Sequence, residues 1–201
     1  MSMHDRQPQT ATAIAAVDLL ATAAPDFLVN HSYRTYDFGM LLVDSPADVD
    51  PEAAFVASML HDIGLTPAFR GADSFELVGA AHAARFLEDQ GWETDRIRLV
   101  ETAIIRHAEL NPIDDPVCRV VQAGAALDVV GAPKSAIDLP EVAETLARYP
   151  RLGFTSQISE AFTNEVAAQP EGLFAGLAAL GDFVALVEAN PLCVHDEAVP
   201  S

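Results

Sequence analysis

The sequence predicts an all-α fold, and three observations carry that reading. Helix start and stop signals cut most of the 201 residues into segments of helical length. Alternating β-branched runs and two-residue hairpin signals are scarce. The connecting stretches "VDSPADVD", "TPAFRGAD" and "VGAPKSAIDL" have the length of ordinary helix links, so none of them marks a domain boundary. A single compact bundle of about eight or nine helices follows, without repeats or low-complexity segments. Its expected parts are an N-terminal helix within residues 1–24 packed on the core, a main domain over 25–190, and a frayed tail over 191–201.

Each helix has its own local reason. "TATAIAAVDLLATAA" reads as an amphipathic first helix and not as a signal peptide, because Asp5 precedes it, Asp18 interrupts it, and its basic start is only His4 and Arg6. Asn30 stands as the cap ahead of "HSYRTYDFGMLL". Asp50-Pro51-Glu52 supplies a cap, a first-turn proline and a first-turn acid ahead of "AAFVASML", with Gly64 just beyond. Ser74 opens "FELVGAAHAARFLEDQ", closed by Gly91, and Thr94-Asp95 opens "RIRLVETAIIRHAEL", stopped by Asn111-Pro112. Asp115-Pro116 repeats the cap-and-proline device ahead of "VCRVVQAGAALDVV", which ends at Gly131. Later helices are expected at Pro140 to Ala147, Thr155 to Ala168 and Gly172 to Ala189.

Composition narrows the partners. Eleven Lys plus Arg, with Lys134 the only lysine, face thirty Asp plus Glu, for a formal charge of −19. Such a field repels nucleic acid and anionic membrane surfaces and disfavours polyanionic substrates, so a small-molecule substrate is the expected partner. A homo-oligomer is compatible with everything in the sequence. The two cysteines, Cys118 and Cys193, read as reduced, simple side chains, which fits a cytoplasmic protein. No apolar run approaches the roughly eighteen residues of a membrane span.

The chemistry-bearing residues cluster around histidine. Of six histidines, His4 and His195 fall in the expected loose ends, leaving His31, His61, His82 and His107. His31 follows the expected cap Asn30, where the positive end of the helix dipole favours the neutral ring that metals need. His61 and Asp62 stand side by side in "MLHDIGL" at the end of an apolar helix, where two ionisable groups require compensation. Asp128 falls in the last turn of its helix, an unfavourable place for a carboxylate unless a cation holds it there. Singly, each of these is more often structural. Together, two imidazoles and two carboxylates make a mixed N/O set suited to zinc, iron or manganese, with positions left for water.

The order His, His-Asp, Asp resembles the HD-domain metal-dependent hydrolase superfamily, matched by His31, His61, Asp62 and Asp128. The strings "HSYRTYDFGMLL", "MLHDIGLTP", "SFELVGAAHAARFLEDQGW", "ETAIIRHAEL", "AALDVVG" and "YPRLGFTSQISEAF" look most like the cyanamide hydratase group within it. The resemblance implies an HD-domain helical bundle and a hydrolase or hydro-lyase holding one divalent ion, zinc first, with iron or manganese as alternatives. It implies attack on a small polarised substrate such as cyanamide or another nitrile-like compound. HD phosphohydrolases acting on nucleotides or phosphomonoesters are the alternative; they commonly carry an acid soon after the HD pair, where this sequence has Ile63, Gly64 and Leu65. Two-metal members carry a histidine before a Gly-Ala on the next helix, whereas Phe75 and Glu76 precede Gly79-Ala80 here, so one ion is expected.

By the same resemblance His107 is expected near the metal as a proton-transfer group, and Glu76 as a residue that holds an amino group or relays a proton. Phe75 is expected in the core or as the wall of a small apolar pocket. His82, roughly 120 degrees from Glu76 around their helix, is a weaker candidate for lining the site. Arg34, Arg70 and Arg106 are the cations nearest these motifs; their convergence on the metal would favour phosphate recognition.

Overall fold

The computed structural model describes residues 7–196, and its described residues form helices and turns without strands. Ten α-helices follow in order: α1 Ala11–Ala23, α2 Asp26–Leu42, α3 Pro51–Leu60, α4 Phe75–Asp89, α5 Thr94–Arg106, α6 Pro116–Val130, α7 Pro140–Arg148, α8 Phe154–Ala168, α9 Leu173–Leu180 and α10 Phe183–Glu188. Two of the expected caps are in place: Asp50 accepts from the amide of Ala53, and Asp115 from those of Val117 and Cys118. Gly131 closes α6 at φ 70°, a left-handed position that suits glycine. No helix among the described residues is long and apolar enough to cross a membrane.

Four boundaries differ from expectation, each for a local reason. Pro25 and Asp26 start α2 before Asn30, whose side chain donates instead to the carbonyl of Pro150. His31 is therefore well inside a helix, and no dipole argument applies to it. α5 stops at Arg106 with His107 as its C-cap. The single helix expected over 172–189 breaks into α9 and α10, because Asp182 caps a new start by accepting from the amide of Ala185. The expected tail is tied down as far as Asp196: Pro191–His195 forms a 3-10 turn with Leu192 buried, so His195 sits in a defined turn. His4 lies outside the described residues.

α2 and α6 are the central pair of the bundle. They approach closely because each offers a glycine: a Cβ on Gly124 would stand 1.8 Å from the Thr35 carbonyl oxygen, and one on Gly39 would stand 2.0 Å from that of Val120. The pairing of 124 with 35 and 120 with 39 means that the helices run antiparallel, which brings His31 level with Asp128. α1 docks Ala13, Ala16 and Leu20 onto the main apolar core, which α3, α4, α5 and α6 complete. A second apolar cluster, containing Phe75, Phe154, Phe162 and Phe174, joins α4, α8 and α9.

Candidate metal centre

His61 and His107 occupy the same position on two helices, the C-caps of α3 and α5. Each ring turns back on its own helix: His61 Nδ1 lies 2.7 Å from the carbonyl of Ser58, and His107 Nδ1 lies 2.6 Å from that of Ile104. A carbonyl only accepts, so in both rings Nδ1 carries the proton. The bond satisfies a carbonyl left over at the helix end, and it aims the lone pair of Nε2 away from that end.

His31 reaches the same point from α2. Its Nδ1 lies 2.6 Å from Asp128 Oδ2, so Nδ1 donates here too, and its Nε2 stands 3.1 Å from His61 Nε2. Two neutral rings in this arrangement point lone pair at lone pair. Asp62 closes the group, with Oδ2 3.4 Å from His31 Nε2 and 3.3 Å from His61 Nε2. Its Oδ1 is buried and accepts no hydrogen bond, while His107 Nε2 is 3.7 Å away.

These features fit a divalent cation. The Nε2 atoms of His31 and His61 and one oxygen of Asp62 all lie within 4.8 Å of one another on buried side chains. Donors bonded at about 2.0–2.1 Å to one ion stand roughly 3.0–3.4 Å apart, the spacing found here. A positive charge would also remove the lone-pair conflict and partner the orphaned carboxylate oxygen. Three protein ligands leave positions open, which suits a catalytic site better than a structural one.

The electrostatics agree. Burial, more than any other influence, pushes His61 down to about 3, so its ring is neutral at ordinary pH. Burial would lower His31 too, but Asp128 and Asp62 outweigh it and raise its pKa. Burial would raise Asp62, yet His61, His31 and His107 hold it ionised, below the usual carboxylate range. Without a metal, then, a proton on His31 is the cation that the cluster attracts.

Asp128, expected as a fourth ligand, takes a different place. Both of its oxygens are occupied: Arg34 donates from Nε and Nη2, Arg151 donates from Nη1 at 2.6 Å, and His31 takes the remaining direction. The carboxylate at the helix end does have its cation, as the dipole argument required, but the cation is a pair of guanidinium groups. Burial would raise its pKa; Arg34, Arg151 and His31 overcome this and hold it well below the usual range. Asp128 therefore backs His31, fixing its tautomer and orientation, as carboxylates behind metal-binding histidines do.

Arg151 is the residue that sequence reasoning missed, although it lies within the quoted string "YPRLGFTSQISEAF". It is fully buried and also pairs with Asp196 at 2.5 Å. Leu152 beside it adopts φ 55°, a strained conformation for leucine, held by the bond from the Gly153 amide to the Asp196 carbonyl. The ring of Phe154 stacks on His31 at 4.6 Å and lies beneath both guanidinium groups.

Other expected site residues stand back. Glu76 is buried and accepts from Ser74 Oγ at 2.7 Å, and it raises the pKa of neighbouring Glu165 in addition to the burial of that group. Phe75 packs edge-on to His107 at 5.8 Å and against Phe174 at 5.1 Å, so it supports the site from behind. His82 is outside the buried stripe of α4 (Phe75, Glu76, Gly79, Ala80, Ala83 and Leu87), and its ring meets Phe69 at 4.8 Å. None of the three lines the cavity beside the cluster. Arg34 is spent on Asp128 and Arg106 on Glu109, and neither they nor Arg70 line the cavity beside the cluster.

That cavity measures about 430 Å³ and has His31, His61, Asp62 and His107 in its lining. One wall is the face of α6 from Arg119 through Gln122, Ala123 and Ala126 to Val130; the opposite wall carries Phe162, Phe174, Leu177 and Phe183.

Comparison with known proteins agrees with this geometry. Two yeast proteins, cyanamide hydratase DDI2 and cyanamide hydratase DDI3 of Saccharomyces cerevisiae, are each 27% identical over 173 residues, covering 82% of this chain and 77% of their own. The HD domain pattern matches residues 28–142, which run from α2 into α7 and include His31, His61, Asp62, His107 and Asp128. By that match over more than half of its length, the chain belongs to the HD domain family.

Proposed function

We propose that this HD-family protein is a metal-dependent hydro-lyase that adds water across a nitrile-like carbon–nitrogen bond, with cyanamide going to urea as the reference reaction. The observation that carries the reading is the convergence of His31 Nε2 and His61 Nε2, 3.1 Å apart, with Asp62 Oδ2 at 3.4 and 3.3 Å from them on buried side chains. The similarity to the two yeast cyanamide hydratases supports the substrate class.

A divalent ion held by His31, His61 and Asp62, zinc being our first choice, supplies Lewis acidity and lowers the pKa of coordinated water from about 15.7 to near 7. The remaining roles belong to the chain. Asp128 and Ser58 hold the two rings in the tautomers that leave Nε2 free. His107, its Nδ1–H donated to the Ile104 carbonyl, presents the Nε2 lone pair beside Asp62, where it can take the proton released by the attacking water and pass it to the substrate nitrogen as negative charge develops there. Phe75 and its neighbours keep that ring in place. The mostly apolar lining of the cavity offers few competing hydrogen-bond partners, so a polarised substrate group is drawn to the polar cluster at its floor.

Phosphoester hydrolysis, the alternative, needs cations around the transferred group. Only one arginine, Arg119, lines the cavity among the described residues. That argues for the hydration reading.

Elemental analysis of the purified protein, followed by urea detection with cyanamide beside a His61→Ala control, tests the proposal. Stoichiometric metal and activity lost in the variant are expected. Equal activity in both proteins, or turnover of aryl phosphates with none of nitriles, would overturn it.

A further inference from the structure

Cyanamide has three non-hydrogen atoms. At a water's share of about 30 Å³ for each, it would occupy roughly 90 Å³, about a fifth of the 430 Å³ beside the metal position. The remaining space is mostly apolar, with Glu109, Arg119 and Gln122 as the other polar side chains of its lining. Apart from the cluster itself, its lining is dominated by alanine, valine, leucine and phenylalanine. The aromatic wall is pre-formed: Phe162 stacks on Phe174 at 4.6 Å, and Phe183 meets both edge-on, at 5.3 and 5.7 Å. Leu110, 73% exposed, extends this apolar lining towards solvent. Its loop is anchored, because Gln122 donates to the carbonyls of Glu109 and Asn111 at 2.7 and 2.8 Å.

A built-in apolar chamber of this size has the dimensions of a site for a drug-sized ligand. A three-atom polar substrate would leave most of it filled with poorly bonded water. We infer that the physiological substrate carries an apolar, aryl-sized body on the reacting group, with the body seated between the α6 face and Phe162, Phe174 and Phe183. The inference rests on the hydration reading for the reacting group, but the shape and lining of the cavity carry it. Ala123 and Ala126 on α6 then act as specificity residues, since their small side chains make the room.

The experiment compares kcat/KM for cyanamide, acetonitrile, benzonitrile and phenylacetonitrile on the metal-loaded protein, with the amide or urea product quantified. Burial of a phenyl group at about 25 cal/mol per Å² leads to an expected preference for the aryl nitriles of about 30-fold or more over acetonitrile. Ala126→Phe should bring that ratio back towards one. Because a bulky variant can misfold, Ala123→Leu is made alongside it, and both are checked by circular dichroism. A parallel calorimetric titration with benzamide, compared with urea, reads the chamber without turnover. Binding at least tenfold tighter for benzamide, weakened in the folded Ala126→Phe or Ala123→Leu protein, supports the inference even if no nitrile is turned over, a result that would end the hydration reading alone. Cyanamide favoured over every aryl nitrile, or benzamide binding no tighter than urea, would overturn the inference while leaving the hydration reading intact.

Discussion

The floor of the cavity and its aromatic wall are built by opposite means. On the floor, Nδ1 of His31, Nδ1 of His61 and both carboxylate oxygens of Asp128 each meet a partner within about 3.1 Å, drawn from α2, α3, α6 and the turn after α7, which leaves the two Nε2 atoms facing each other. On the wall, Phe162, Phe174 and Phe183 touch one another through ring faces and edges, and no charged bond holds them. His31, His61, Asp62 and Asp128 are also inside the residues matched by the HD domain pattern, whereas Arg151 and the wall helices α8, α9 and α10 are outside them. The difference teaches a division of labour. Charge-assisted bonds fix the atoms that do chemistry to fractions of an ångström, whereas ring packing leaves a surface whose shape can change without moving them.

The comparison is broken most severely by Asp62→Asn, which keeps the shape and removes the charge of the cluster. Bound metal measured by elemental analysis should fall below stoichiometric, and kcat/KM should drop by more than about 100-fold on every substrate, since even residues behind ligands are worth 10–100-fold.

Next comes Arg151→Met, which leaves Asp128 with one arginine and Asp196 with the Thr155 amide but no cation. Urea unfolding should show a loss of about 3–5 kcal/mol, the usual penalty for a buried charge left without its partner. Metal affinity should weaken by about 10–100-fold because His31 loses its fixed support. A variant with full stability would mean that Arg34 alone compensates Asp128, and the floor would be less tightly determined than the geometry implies.

Phe174→Ala sharpens the contrast from the other side. Full burial of a phenylalanine is worth about 3–5 kcal/mol in a close-packed core. Here one side of the ring already faces a cavity, so a loss of about 1–3 kcal/mol is expected. Metal content should not change, and the ratio of activities on large and small substrates should.

The smallest effect is a pH dependence confined to the floor. Asp128 and Asp62 raise the pKa of His31 above its ordinary 6.5 in the folded chain. Its contribution to stability is then complete below pH 6.5 and fades as the pH rises through the folded value. The melting temperature of metal-stripped protein, relative to metal-loaded protein, should therefore fall as the pH rises above 6.5. A flat difference would show that no proton replaces the metal.

Much of this was legible in the sequence because it is local. Asp50-Pro51 and Asp115-Pro116 announce helix starts, since a cap and a first-turn proline act within three or four residues. Asp182 offers the same type of cap but was read through as helix interior, because the apolar period continues across it. Glu76, expected at the site by resemblance, and His82, the weaker candidate, both stand back from the cavity, because which side of α4 faces the cluster depends on how α4 packs.

By itself the sequence determined an all-α chain and the borders of most of its helices, through caps and apolar period, and it offered His31, His61, Asp62 and Asp128 as one candidate set, through their order along the chain and an unusual pair of ionisable residues at a helix end. Only the tertiary structure decided that Asp128 supports His31, that Arg34 and Arg151 are its cations, and that an aromatic chamber opens beside the trio. Arg34 and Asp128 are separated by 94 positions and Arg151 and Asp128 by 23. Burial demands that a buried charge be compensated, and local propensity contains no information about which distant group will do it. Close packing of α2 on α6 makes that choice.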